Sequence, residues 1–238
     1  MRTSDGDTVW SMRRLRWLAI LIRHPSAALL LVQLAGLLLY PFIEQTRAAR
    51  ALFGAFGVVV LILAISMVQR TRGRGWISVA IAVPAVVCNA MGLMLDMPAL
   101  KPWWAALEAL FYFYAAGCLI AYMLADRRAT TDEMFAAGAT FTLLVWGFTY
   151  LFVLCQVLQP GCFAAAVNPA APRSWTELLF LSFALMSSTG IGDVIPITVH
   201  ARALACLEMF VGVMYIALVV SRLIGLSVSR EDDRELHR

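Results

Sequence analysis

Lysine is all but missing from this chain: Lys101 stands alone, and apart from three histidines the other basic side chains are arginines. Charged residues of both signs make up only 14% of the 238 residues, while 61% are hydrophobic and the mean hydropathy is +0.79. So little charge excludes a soluble domain, which could not hide that much apolar surface, and points to a chain that crosses a membrane several times. The net charge of +4 is no sign of a nucleic-acid partner, because the arginines gather at the ends of apolar runs, where orientation in a membrane accounts for them. Metal-ligand spacing is absent from the five cysteines. Cys88, Cys118 and Cys206 lie inside apolar runs as small packing residues. Cys155 and Cys162 fall near one membrane face, where a disulfide within or between subunits is one option and free thiols the other. No small-residue cleavage site follows an apolar core near the start, so the first span is expected to remain as an uncleaved anchor. The arginine and alanine bias fits a GC-rich bacterial source, and hence a bacterial inner membrane.

A helix needs about 20 apolar residues to cross the hydrocarbon core. Six runs come close: Ser26 to Ile43, Ala51 to Val68, Trp76 to Leu95, Trp103 to Leu124, Ala139 to Leu158 and Ala203 to Ser221. Leu15 to Ile22 is too short; flanked by Arg13, Arg14, Arg16 and Arg23 and holding Trp17, it reads as an interfacial helix ending at Pro25. Arginines at positions 13 to 23, 70 to 74, 127 and 128, and from 222 onward share one side, so the positive-inside rule sets both termini in the cytoplasm. Arg47 and Arg50 dissent, which a second span beginning after Arg50 would resolve. Trp103, Trp104 and Trp175 then mark the outer interface, and Trp17 and Trp76 the inner one.

Between the fifth and sixth runs lies a segment that is neither a span nor an ordinary loop. Pro160 to Ser174 holds three prolines and a glycine and reads as an irregular outer excursion. Trp175 to Met186 is apolar but only about half a membrane deep, opening on Ser174 and Glu177 as a capping box. Ser187-Ser188-Thr189-Gly190-Ile191-Gly192-Asp193 follows directly. Short helix, glycine-rich extended chain, then exit describes a re-entrant loop, tolerated at membrane depth only where it is buried or lines a wet cavity. Gly190 and Gly192 can adopt angles closed to other residues, letting successive carbonyls point the same way and replace the hydration shell of a cation. The C-terminal end of the short helix turns its partial negative charge toward the cavity beneath. One chain supplies one loop, so a ring needs several chains, and a homotetramer is expected.

Residues 188–193 resemble the T-V-G-Y-G-D filter of potassium channels. The resemblance runs on without a gap through Pro196, Thr198, Arg202 and Met209 to Gly212, at the position of that family's inner-helix hinge. It covers about the last hundred residues. It implies potassium ions held by the backbone carbonyls of Ser188, Thr189, Gly190 and Ile191, with the Ser188 hydroxyl adding to the innermost site. Three positions depart from the pattern. Ser188 replaces threonine and keeps a hydroxyl. Thr189 replaces valine and adds a polar group behind the filter that must find a partner. Ile191 replaces the tyrosine that braces the filter, as aliphatic residues do in some two-pore members.

In that register Val213, Ile216, Val220 and Ile224 face the pore axis as an apolar vestibule and gate, although ordinary helix packing gives the same spacing. Glu208 is the one acid inside the last run. It either supports the filter, through Ser187 or Thr189, or is a protonated, structurally satisfied residue. Glu108 in the fourth run is expected to be structural. That fourth run holds no arginine or lysine, so the lever of a voltage sensor is missing and voltage dependence should be weak. Arg127 to Glu133 is either a linker helix or a solvated turn.

The sequence thus predicts an all-α membrane protein with six transmembrane helices and a re-entrant pore helix and filter between the fifth and sixth. Residues 1–25 form a cytoplasmic N-terminus, 26–128 a four-helix domain without gating arginines, 129–226 the pore domain and 227–238 a short tail, too short for a ligand-binding regulatory domain. The expected function is a potassium-selective tetrameric cation channel in the cell membrane, not an enzyme. It needs no cofactor, takes potassium as its permeant ligand, and has itself, lipids and monovalent cations as partners. The alternatives are a nonselective cation channel, a nonconducting pore homologue and a GxGD intramembrane aspartyl protease using Asp193 and Asp96.

Overall fold

The computed structural model describes residues 25–43, 60, 62, 63, 75–94, 98–125 and 131–236. The interfacial stretch 15–22 and nearly all of the second apolar run lie outside these residues. Among those described, the helices are α1 (Pro25–Ile43), α2 (Gly75–Met94), α3 (Lys101–Ala125), α4 (Thr131–Leu158), α5 (Trp175–Met186) and α6 (Val199–Leu236). Two three-residue strands, β1 (Phe163–Ala165) and β2 (Val194–Pro196), flank α5. Three of the helices contain stretches long and apolar enough to cross a membrane: Lys101–Leu124, Asp132–Leu158 and Val199–Arg222. Shorter apolar helical stretches cover Pro25–Leu39, Trp76–Cys88 and Trp175–Met186.

The helix α4 is the hub, packing on α1, α3, α5 and α6. Aromatic residues explain much of its grip. Tyr112 of α3 stacks on Tyr150 of α4 with centroids 5.6 Å apart and meets Trp146 edge-on at 5.5 Å. Trp104 meets Tyr150 edge-on at 5.3 Å, and Trp175 of α5 joins the same group at 6.2 Å from both Trp146 and Tyr150. Such pairs add roughly 0.5–1.5 kcal/mol each beyond burial. Trp104 and Trp175 therefore pack into an aromatic core, whereas Trp103 and Trp76 are exposed as interface residues would be. Glu108 is buried in α3 one turn from both Trp104 and Tyr112.

Two helices run further than their apolar stretches. At 1.5 Å per residue α6 is about 57 Å long, well beyond the roughly 30 Å hydrocarbon core, and it carries residues 227–236 on as helix. Helix α4 begins at Thr131, eight residues before its apolar run, so Asp132 and Glu133 form its first turn. Both acids are used. Asp132 accepts hydrogen bonds from the Ser26 amide (3.3 Å) and hydroxyl (2.9 Å), satisfying donors that the start of α1 leaves open. Glu133, nearly buried, pairs with Arg222 of α6 at 3.2 Å.

The excursion between α4 and α5 is held from within by Arg173. Its side chain is only 2% exposed. The guanidinium donates to the carbonyls of Val167 (3.2 Å), Asn168 (2.5 Å) and Ala171, and to Glu177 at 3.0 Å. Gln156 clasps the Arg173 backbone from α4 through both its amide and its carbonyl, at 2.8 and 2.9 Å. What composition presents as a loop charge is an internal fork. Arg173→Lys should destabilise the fold by about 2–3 kcal/mol, because an ammonium cannot serve three carbonyls and a carboxylate at once and the orphaned groups stay desolvated. Thermal unfolding in detergent reads this, with Arg173→Ala at least as damaged.

Candidate functional site

Helix α5 ends as it begins, by a local device. Ser174 accepts from the Glu177 amide at 3.2 Å, and Glu177 accepts from the Ser174 amide at 2.7 Å, completing the capping box. At the other end Thr189 N–H donates to the Ala184 carbonyl (3.0 Å) and Ser188 N–H to that of Leu185 (3.1 Å). That pair of bonds closes a Schellman motif, which places the residue after the cap in the left-handed region. Here that residue is Ser188, with φ +60°. Glycine is the usual occupant because a Cβ is strained there.

The sign of φ then alternates. Ser188, Gly190 (+59°) and Gly192 (+77°) are left-handed, and the intervening Thr189 and Ile191 are not. Alternation of hand along a backbone turns successive peptide planes toward one side, the geometry a row of coordinating carbonyls requires. Ser187 to Asp193 are all exposed in the single chain, with Ile191 64% exposed. The Thr189 hydroxyl does find partners: it lies 3.0 Å from the Ser187 hydroxyl and 3.3 Å from the Ala184 carbonyl.

After Asp193 the chain is tied to the outer excursion. β2 pairs antiparallel with β1, with Phe163 opposite Pro196 and Ala165 opposite Val194, and Ile197 N–H donates to the Cys162 carbonyl at 2.8 Å. Thr198 caps α6 through the Ala201 amide (3.4 Å) and donates to Gln159 at 3.2 Å, while Arg202 donates to the Pro196 carbonyl at 3.2 Å. The motif residues Pro196, Thr198 and Arg202 thus form one brace at the head of α6. Cys155 and Cys162 are free, buried thiols within this region. Burial, reinforced by the Cys155 thiol alongside, pushes the Cys162 thiol up to about 12. Near neutral pH it should carry almost no thiolate and resist maleimide until the protein is unfolded, which mass spectrometry of labelled peptides would register.

One stripe of α6 faces its own chain. Ala201, Ala205, Glu208, Gly212 and Tyr215 are buried along it, and the Tyr215 hydroxyl donates to the Ala137 carbonyl of α4 at 2.5 Å. Much of the remaining apolar surface is open, including Val213, Ile216 and Val220 at 40–50% exposure, while Leu204, Val211 and Val219 are partly buried against the core; the Ile224 side chain lies outside the described residues. Gly212 is where α6 and α5 touch backbone to backbone. A Cβ there would collide with the Met186 carbonyl and come within 3.0 Å of the Met186 Cα. The helix continues unbroken through Gly212.

Glu208, one turn earlier, is fully buried. Its partner is Ser182 of α5 rather than Ser187 or Thr189, and Ser182 also lies 2.8 Å from the Val145 carbonyl of α4. Ser182 escapes a reading of the sequence, since only the register between two helices 26 positions apart brings it to Glu208. Asp96, the second acid a protease would need, lies outside the described residues. Among the described residues no group of three or more histidine, cysteine and acidic side chains could hold a metal ion.

Residues 110–227 match the family model described as an ion channel. No solved structure matches the chain. The matched stretch begins inside α3 and takes in α4, α5, the segment of alternating hand and most of α6. A channel is a conduit and not a catalyst, which removes the aspartyl protease. The chain is a non-enzymatic membrane protein that carries an ion-channel domain over residues 110–227.

Proposed function

We propose that this chain is the subunit of a homotetrameric, potassium-selective channel. Its selectivity filter would run from Ser188 to Asp193, and potassium ions would be held by the carbonyls of Ser188 to Ile191 and the Ser188 hydroxyl. One observation carries the proposal: a capped half-length helix delivers its chain into a segment whose φ alternates in sign at Ser188, Gly190 and Gly192. Several features support it further. The segment is exposed in the single chain, so four copies can bring it to a common axis. Val213, Ile216 and Val220 are exposed on α6 and supply an apolar cavity and gate, with Ile224 continuing the series. Ser187 and Glu208 support the filter from behind, and Gly212 is the hinge as well as a packing point. The six-span arrangement, the cytoplasmic termini and the bacterial inner membrane belong to the same proposal.

Purified protein reconstituted in liposomes tests it. Flux with potassium as the only permeant cation, and little or none with sodium, is the expected result. Equal flux of both would make the pore nonselective, as the substitutions at Thr189 and Ile191 allow. Flux of neither would identify a nonconducting homologue. Because α3 carries no arginine and only Lys101 at its start, the current in planar bilayers should change little with voltage. Steep activation with several gating charges per subunit would overturn that expectation.

A further inference from the structure

We infer that Glu208 is a neutral acid whose proton completes a hydrogen-bonded strut from α6 through Ser182 of α5 to α4, making Glu208 and Ser182 positioning residues for the pore helix. The inference comes from counting hydrogens. A serine hydroxyl owns one, and a backbone carbonyl owns none. The 2.8 Å contact between Ser182 Oγ and the Val145 carbonyl therefore takes the serine's hydrogen. That carbonyl also accepts from the Thr149 hydroxyl at 2.8 Å, whose own hydrogen is likewise committed. The close approach of Glu208 Oε1 to Ser182 Oγ then has no hydrogen left in it unless the carboxyl brings one.

The other carboxyl oxygen points to the same state. Glu208 Oε2 is buried without a hydrogen-bond partner. An ionised carboxylate with an unpaired oxygen in this interior is costly, whereas the carbonyl of a neutral acid pays a far smaller penalty. Among the described residues nothing nearby offsets a charge. On the packed elements the titratable or charged groups with described side chains are Asp132, Glu133, Tyr150 and Cys155 of α4, Glu177 of α5, and His200, Arg202, Cys206, Tyr215 and Arg222 of α6. Asp193 follows the filter segment. Ser182 is the only hydrogen-bonding side chain that reaches the Glu208 carboxyl from any of them.

The strut has a defined place. Ser182 and Met186 are one turn apart on α5, Glu208 and Gly212 one turn apart on α6, and 182 meets 208 as 186 meets 212. Polar and steric contacts in matched register thus fix the end of α5 from which residues 187–193 depart. Loss of the proton sets two oxygens against each other there. Resting on the channel function proposed above, the consequence is that raising the pH until Glu208 ionises loosens the pore helix and lowers conduction.

The test uses the full-length protein in liposomes and three variants, Glu208→Gln, Glu208→Leu and Ser182→Ala. Infrared difference spectra at neutral pH should show a protonated-carboxyl stretching band in the native protein that Glu208→Gln lacks. The thermal midpoint of the native protein should fall by about 5–10 °C as pH is raised. Glu208→Gln, whose amide can donate to Ser182, should hold its midpoint flat, and potassium flux should follow the same two profiles. Glu208→Leu and Ser182→Ala should lower flux roughly tenfold, the loss of one buried hydrogen bond. An identical infrared band in native and Glu208→Gln protein would overturn the inference. So would a Glu208→Gln protein that is as damaged as Glu208→Leu or that keeps the native pH dependence. Absence of flux from native protein at every pH would overturn the channel function instead, while the band and the midpoint would still decide the strut.

Discussion

Gly212→Ala is expected to destabilise each chain by about 2 kcal/mol or more and to abolish flux. Overpacking usually costs about 1–3 kcal/mol when side chains can give way. Here the atoms in the path of the new methyl are the carbonyl and Cα of Met186, fixed at the end of α5. Better helix propensity returns only about 1 kcal/mol. Either α6 moves away from α5, breaking the register that also aligns Glu208 with Ser182, or the end of α5 is displaced. A matched control separates packing from propensity. Gly117 of α3 has nothing within 4 Å of its missing Cβ, so Gly117→Ala should raise stability by up to about 1 kcal/mol. Thermal unfolding of both variants side by side would check the opposite signs, and liposome flux the functional half.

Gly192→Ala should be the most damaging change in the proposed filter, residues 188–193. At φ +77° an L side chain costs roughly 1–2 kcal/mol, or about 4–8 kcal/mol over the four chains of the proposed tetramer. The chain would relax to negative φ, turning a peptide plane out of the row, and potassium flux should vanish while the helices persist by circular dichroism. Ser188 makes the converse case. It already bears the strain of φ +60°, so Ser188→Gly should stabilise the protein by about 1 kcal/mol in thermal unfolding. A segment in which one substitution relieves strain and another creates it is recognised by that pair of signs.

How far the sequence was legible follows the range of the signals. Helix α5 was readable to the residue, because Ser174, Glu177 and the glycines after Ser187 are local punctuation. The apolar runs located α1, α2 and α3 for the same reason, hydropathy being a property of neighbours along the chain. Asp132 and Glu133 left the choice between linker helix and solvated turn open, since two acids after paired arginines suit either. What draws them into a helix is a pair of distant partners, Ser26 and Arg222. The pairing of β1 with β2 was equally hidden, three-residue strands having no periodicity to detect. At the candidate site the glycines and the unusual Glu208 were visible as types. Their contacts were not: neither Ser182 nor Met186 differs in sequence from any other residue of an apolar helix. Positive φ at Ser188 was hidden too, because serine ordinarily avoids it.

The aromatic stack between α3 and α4 bears on how this chain can change over evolutionary time. A border drawn at residues 128 and 129 by composition separates Tyr112 from Tyr150 and Trp146, the rings that are in contact. Trp175, which opens α5, leans on the same two rings of α4. A drift in ring size on the face of α3 that meets α4 would therefore be inherited by the helix that presents Ser188 to Asp193. The outer helices are not a detachable shell that can diverge freely around a constant conduit. They must covary with it, and Tyr112, Trp146, Tyr150 and Trp175 are the positions where that covariation is expected to be written.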